Sequence, residues 1–128
     1  MKGYIPAIFA AVTLVSPPLA SAMPGDPDQA GLGTVWMETE SGWQGTWQRV
    51  GKSNKFNAVW TKPSKDPIRA ELTMELKGNT IWIIRRDLNG PQANKGCQYN
   101  GKITGRTAAG SYTCEWSRDN IPWKATIH

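Results

Sequence analysis

From residue 34 onward the chain alternates apolar and polar residues in short runs, most plainly in Ala70-Glu71-Leu72-Thr73-Met74-Glu75-Leu76. Successive side chains on a strand point to opposite faces, so this period gives each strand one dry face and one wet face. Eight such runs are predicted, over residues 34–39, 43–50, 55–61, 69–76, 80–86, 97–103, 110–116 and 122–128. Most gaps between them are short and rich in Gly, Asn and Ser, as in Glu40-Ser41-Gly42 and Lys77-Gly78-Asn79, which suits hairpins. Two are longer, at 62–68 and 87–96. No segment carries a helical period.

Tight links favour antiparallel neighbours, because parallel pairs need long crossovers. Eight antiparallel strands in a meander can remove their edges by closing. The predicted fold is therefore all-β, an eight-stranded antiparallel meander closed into a small barrel, with a two-sheet β-sandwich as the alternative. The expected inward face carries Phe56, Ala58 and Trp60, then Leu72, Met74 and Leu76. It continues through Ile81, Ile83, Tyr99, Ile103, Tyr112, Trp116, Trp123, Ala125 and Ile127.

Cys97 and Cys114 are the only cysteines. Pairing them also pairs Tyr99 with Tyr112, Gly101 with Gly110 and Ile103 with Ala108, with the turn at 104–107. One register thus satisfies a bridge, an aromatic pair and a turn. Closing a loop of this length stabilises by roughly 3 kcal/mol on the chain-entropy account. A metal role is disfavoured, since the single histidine is His128 and a site needs three or four ligands.

The first 22 residues have the form of a secretory signal peptide. Lys2 precedes an apolar stretch from Ile5 to Val15, Pro17-Pro18 ends it, and Ala20-Ser21-Ala22 offers a cleavage site before Met23. The stretch is shorter than the roughly 20 residues a spanning helix needs, so an uncleaved anchor is the lesser reading. No later segment is expected to cross a membrane as a helix. Residues 23–33 read as a flexible leader and 34–128 as the barrel domain, with a periplasmic or secreted address. An oxidising compartment suits the cysteine bridge. Removal of Lys2 lowers the formal charge from +5 to +4. Spread this thinly, the charge favours anionic partners modestly and is no nucleic-acid signature.

Gly45-Thr46-Trp47 resembles the Gly-x-Trp start of the lipocalins and the wider calycin group, which includes the avidins. Those are eight-stranded antiparallel barrels that hold a ligand in their mouths. In lipocalins the motif lies on the first barrel strand and a late Arg packs on its Trp. Here an earlier strand precedes it, and Arg118 falls in a turn, so the resemblance implies a barrel with a mouth and no particular ligand residue. The wider pattern Trp43-Gln44-Gly45-Thr46-Trp47-x-Arg49, Phe56-x-Ala58-x-Trp60, Cys97-x-Tyr99-x-Gly101 and Gly110-x-Tyr112-x-Cys114 is similar to that of small exported bacterial proteins of unknown function. It implies a fold and an address.

No constellation of reactive groups points to catalysis: there is no second histidine, no free thiol once the bridge forms, and no phosphate-cradling motif. Glu38, Glu71, Glu75 and Glu115 fall on polar phases, where solvated surface is expected. Glu71 and Glu75, at i and i+4 on a strand, would lie about 13 Å apart, too far for a glycosidase pair. No cofactor or metal is implied. Trp82 is out of phase with Ile81 and Ile83 and should point outward beside Ile84, as a possible contact patch. Arg49 and Arg85 fall on the inward phase at strand ends. They are expected either to snorkel to the rim or to mark a pocket mouth walled by Trp47, Trp60, Tyr99 and Tyr112. Such a pocket would hold an amphipathic ligand with an anionic end, whether small molecule, glycan or lipid. The expected function is an exported, non-catalytic binding module. The alternative is an interaction or inhibitor protein that uses its outer surface around a filled barrel.

Overall fold

The structure is a computed structural model that describes residues 31–128. The expected signal segment and most of the leader lie outside the described residues. The barrel unit runs from Gly33 to His128. It has eight strands: β1 (Val35–Glu40), β2 (Trp43–Arg49), β3 (Lys55–Thr61), β4 (Ile68–Lys77), β5 (Thr80–Asp87), β6 (Gly96–Thr104), β7 (Thr107–Cys114) and β8 (Ile121–Ile127). They pair in chain order, and β1 pairs with β8, so the sheet closes into a barrel and the sandwich alternative falls away.

Alternation dictates the interior. β3 reads exposed-buried throughout, with Phe56, Ala58 and Trp60 inward between Lys55, Asn57, Val59 and Thr61. Outward positions on β2, β4 and β8 carry Gln44, Thr46 and Gln48, then Arg69 and Glu71, then Lys124 and Thr126, all exposed. This is the reverse of the apolar exterior of a transmembrane barrel. No helix among the described residues is long and apolar enough to cross a membrane.

The register of β6 on β7 is the one the cysteines predict: Cys97 faces Cys114, Tyr99 faces Tyr112, Gly101 faces Gly110 and Ile103 faces Ala108. The Glu115 N–H bonds to the Gly96 carbonyl at 3.0 Å, which makes Cys97 and Cys114 a non-hydrogen-bonded pair with close side chains. Their Cα atoms are 4.0 Å apart and the disulfide is formed. Two residues on, Tyr99 and Tyr112 stack at 4.6 Å. Gly105, at φ 61°, opens the two-residue turn between the strands.

Strand direction sorts the connections into two sets. Turns at 50–54, 78–79 and 105–106 lie at one end. The turn at 41–42 and the longer loops 62–67, 88–95 and 115–120 lie at the other, called here the mouth. The three non-glycine residues with positive φ among those described, Ser41, Ser64 and Asn94, are all on mouth connections. Backbone in this region tends to collect near ligand sites.

Below the mouth the barrel is filled. Trp36 and Trp47 stack at 5.5 Å, Phe56 meets Trp36 edge-on at 6.2 Å, and Trp47 meets Tyr99 edge-on at 5.8 Å. Leu72, Met74, Ile81 and Ile83 complete this part and are fully buried. Three expectations about the inward face need correction. Trp116 is not core: β7 ends at Cys114, the chain turns through a bond from the Ser117 N–H to the Cys114 carbonyl, and Trp116 is 36% exposed. Leu76 and Ile103 are only half-buried, because each lies at the end away from the mouth. Glu38 is not surface: it is 1% exposed, inside the barrel.

Candidate functional site

The mouth end of the interior holds four ionisable side chains, Glu38, Glu40, Arg85 and Asp87, each no more than 7% exposed. Phase brings them together. Glu38 and Glu40 share the inward face of β1 with Trp36, while Arg85 and Asp87 share that of β5 with Ile81 and Ile83. Buried charges survive only when paired and hydrogen-bonded, and Arg85 bonds both Glu40 and Asp87. Arg85 donates from Nε and Nη2 to the two oxygens of Asp87 at 2.6 and 3.1 Å, a bidentate fork. Its Nη1 donates to Glu40 at 3.2 Å and to the Tyr99 hydroxyl at 2.9 Å. Tyr99 in turn donates to the other Glu40 oxygen at 2.6 Å.

Glu38 sits one layer deeper. Glu38, Gly45 and Trp60 face one another across β1, β2 and β3, and the Trp60 indole N–H reaches over Gly45 to Glu38 Oε1 at 2.8 Å. A Cβ on residue 45 would lie 2.7 Å from both atoms of that bond. Glycine is thus needed here so that the tryptophan can reach the carboxyl. Burial, reinforced by hydrogen bonding to and repulsion from Glu40, pushes the Glu38 pKa up to about 10. Glu38 is therefore held as the neutral acid at neutral pH, and its Oε2 finds no hydrogen-bond partner among the described residues. Burial opposes the charge of Arg85, but Tyr99, Asp87 and Glu40 more than offset it, and the guanidinium stays protonated. Burial also raises the Tyr99 hydroxyl and, with help from Glu40, lifts Tyr112 to about 12.

Above this polar floor lies a cavity of about 210 Å³. Glu40, Arg85 and Asp87 line its floor; Trp43, Trp60, Tyr112 and Trp116 form aromatic walls. Ile68, Ile121 and the disulfide's Cys114 add apolar surface, and Pro91 and Gln92 reach in from the loop 88–95. That loop is tied down: the Leu88 N–H bonds to the Arg69 carbonyl at 2.8 Å, and Asn89 accepts from the Arg69 N–H at 2.7 Å. The walls already hold cations. Arg85 lies 4.1 Å from the Trp60 ring centroid and 5.8 Å from that of Trp116, and the Lys62 ammonium lies 5.4 Å over Trp43.

The expected site residues separate. Arg85, Trp60 and Tyr112 line the cavity; Tyr99 supports its floor from below; Trp47 is core. Arg49 is at the opposite end, where its guanidinium bonds the carbonyls of Ser53, Gly33 and Lys52 at 2.7, 3.0 and 3.0 Å. β2 and β5 run so that inward arginines at their C-terminal ends emerge at opposite ends of the barrel, and the two-arginine mouth does not form. Arg85 is saturated by carboxylates, with no charge left over for an anion. Trp82 and Ile84 do point outward, 42% and 53% exposed. Glu71 is a surface residue in an exposed ion pair with Arg86 at 2.8 Å.

Sequence reasoning missed Glu40, Asp87, Trp43 and Trp116 as site residues. Asp87 carried a usable signal, since it continues the phase of Ile81, Ile83 and Arg85 by one more step. Among the described residues no group of His, Cys, Asp and Glu is arranged to hold a metal. No protein-family model, curated protein or solved structure matches this chain, so the mouth is read from its own residues.

Proposed function

We propose that the protein is an exported, non-catalytic binding module that seats a small ligand, or one group of a larger one, in the mouth of its barrel. One observation carries this reading: an aromatic-walled cavity over a buried polar floor, above an interior occupied by contacting aromatic and aliphatic side chains. Concave apolar surface with a few convergent polar groups is the general form of a small-molecule site. Its size suits a single ring or short chain. The floor is poorly suited to catalysis, because Glu40 and Asp87 are both held by Arg85 and the cavity lining has no histidine to activate the Ser41 or Ser117 hydroxyl. The disulfide supports an oxidising address, periplasmic or secreted. The calycin-like features, eight strands in closed succession and a mouth, agree with this reading in general form.

A second reading uses the outer wall, where Trp82 and Ile84 form an exposed apolar pair on β5. A fragment library screened by ligand-observed NMR against the wild type, Trp116→Ser and Trp82→Ser separates the two. The mouth reading expects binders lost in Trp116→Ser and kept in Trp82→Ser. Binders with the reverse dependence, or none at all, would overturn it.

A further inference from the structure

Although the chain is basic as a whole, the floor of its mouth has the opposite sign. Two buried carboxylates, Glu40 and Asp87, at 6% and 2% exposure, face a single buried guanidinium. Both bond to it, yet the three formal charges sum to −1 in a desolvated site, a costly arrangement when no further cation compensates it. The hydrogen-bonding capacity is skewed the same way. A carboxylate oxygen can accept two bonds, yet each Asp87 oxygen accepts one, from Arg85. Arg85, by contrast, already directs its Nε, Nη1 and Nη2 at protein acceptors. One Nη2 N–H of Arg85 is left over, so the floor has more acceptors than donors to offer, although Ser41, Ser117 and Gln92, which can donate, also line the cavity. Around it stand Trp43, Trp60, Tyr112 and Trp116, and aromatic faces attract cations.

We infer that the mouth selects ligands bearing a protonated amine, with the ammonium placed between the aromatic walls and hydrogen-bonded to the Asp87 and Glu40 carboxylates. The inference rests on the binding-module reading and names its ligand class. Lys62 opposes it by like charge, but its ammonium is exposed at the rim and bonded to the Ser41 carbonyl at 3.2 Å. Solvent and salt screen that repulsion far more than they screen the buried carboxylates.

The test is calorimetric titration of the protein without the expected signal segment 1–22, with three probes of one size: benzylammonium, benzyl alcohol and benzoate. The expected order is benzylammonium at least tenfold tighter than benzyl alcohol, with benzoate weakest. Trp116→Ser should weaken the ammonium, and Glu40→Gln, which cancels the net charge, should bring ammonium and alcohol together. The wild-type order decides the matter even where Glu40→Gln fails to fold. Benzyl alcohol or benzoate binding as tightly as the ammonium, in a Trp116-dependent way, overturns the inference and leaves the mouth reading standing. No binding by any probe, or ammonium binding indifferent to Trp116, overturns both.

Discussion

The two ends of the barrel interior obey one alternation rule and are built for different purposes. Away from the mouth, the inward positions hold Trp36, Phe56, Leu72, Met74, Ile81 and Ile83, an apolar packing whose contribution grows with the area removed from water. Towards the mouth, the same inward phase holds Glu38, Glu40, Arg85 and Asp87. A hydrophobic replacement of similar volume would serve stability as well or better there. The comparison teaches that inward orientation is a matter of geometry, while inward chemistry reports whether a region is for packing or for contact with something else.

Substitutions at the two ends should therefore fail for different reasons. The largest effect is expected from Trp47→Ala, which should cost about 3–5 kcal/mol in urea unfolding by leaving a cavity. Trp47→Phe should cost far less, because the indole N–H of Trp47 finds no acceptor among the described residues and its loss removes an unsatisfied donor. At the mouth, Arg85→Met should also cost about 3–5 kcal/mol, by stranding Glu40 and Asp87. Here the triple variant with Glu40→Gln and Asp87→Asn should recover most of the loss. If it recovers nothing, charge pairing does not distinguish the mouth.

Reduction of the Cys97–Cys114 bridge should lower stability by about 3 kcal/mol, read as the shift in denaturation midpoint with and without reductant. The pH dependence comes next. Glu38 holds its proton in the folded state up to about 10 and releases it near 4.5 when unfolded. The folded state thus binds the Glu38 proton more tightly between those values, so the contribution of Glu38 to stability is greatest at the acid end of that range and falls as pH rises towards 10. Glu38→Gln mimics the protonated form, so its Tm should vary less than the wild type's between pH 5 and 9. A wild-type slope unchanged by this substitution would remove Glu38 from the account. The smallest effect belongs to the outer wall, where Trp82→Ser should alter stability by less than about 0.5 kcal/mol.

The sequence made the packed end legible and left the mouth obscure, for a physical reason. Period 2 sorts side chains by face, and where the inward face is apolar the sort and the burial agree. All eight strands follow from that agreement, and the β6–β7 register follows from pairing the two cysteines. At β1 the rule is ambiguous, because Val35 and Met37 on one face compete with Trp36 on the other. Choosing the Trp36 face requires two glutamates inside. That choice becomes favourable only once Arg85, forty-five residues from Glu40, comes to meet them. Pairing across such a distance leaves no local mark. Trp116 was misplaced by extending the phase of β7 past the point where the bridge and turn end it.

The seven tryptophans of the sequence span both ends and the outer wall, which makes their indole N–H resonances the most direct probe of which end binds. Titrating ¹⁵N-labelled protein with benzylammonium should shift the resonances of Trp43, Trp60 and Trp116 while those of Trp36 and Trp47 stay in place. Shifts confined to Trp82, or to the packed pair Trp36 and Trp47, would contradict the division of the barrel into a packing end and a binding end.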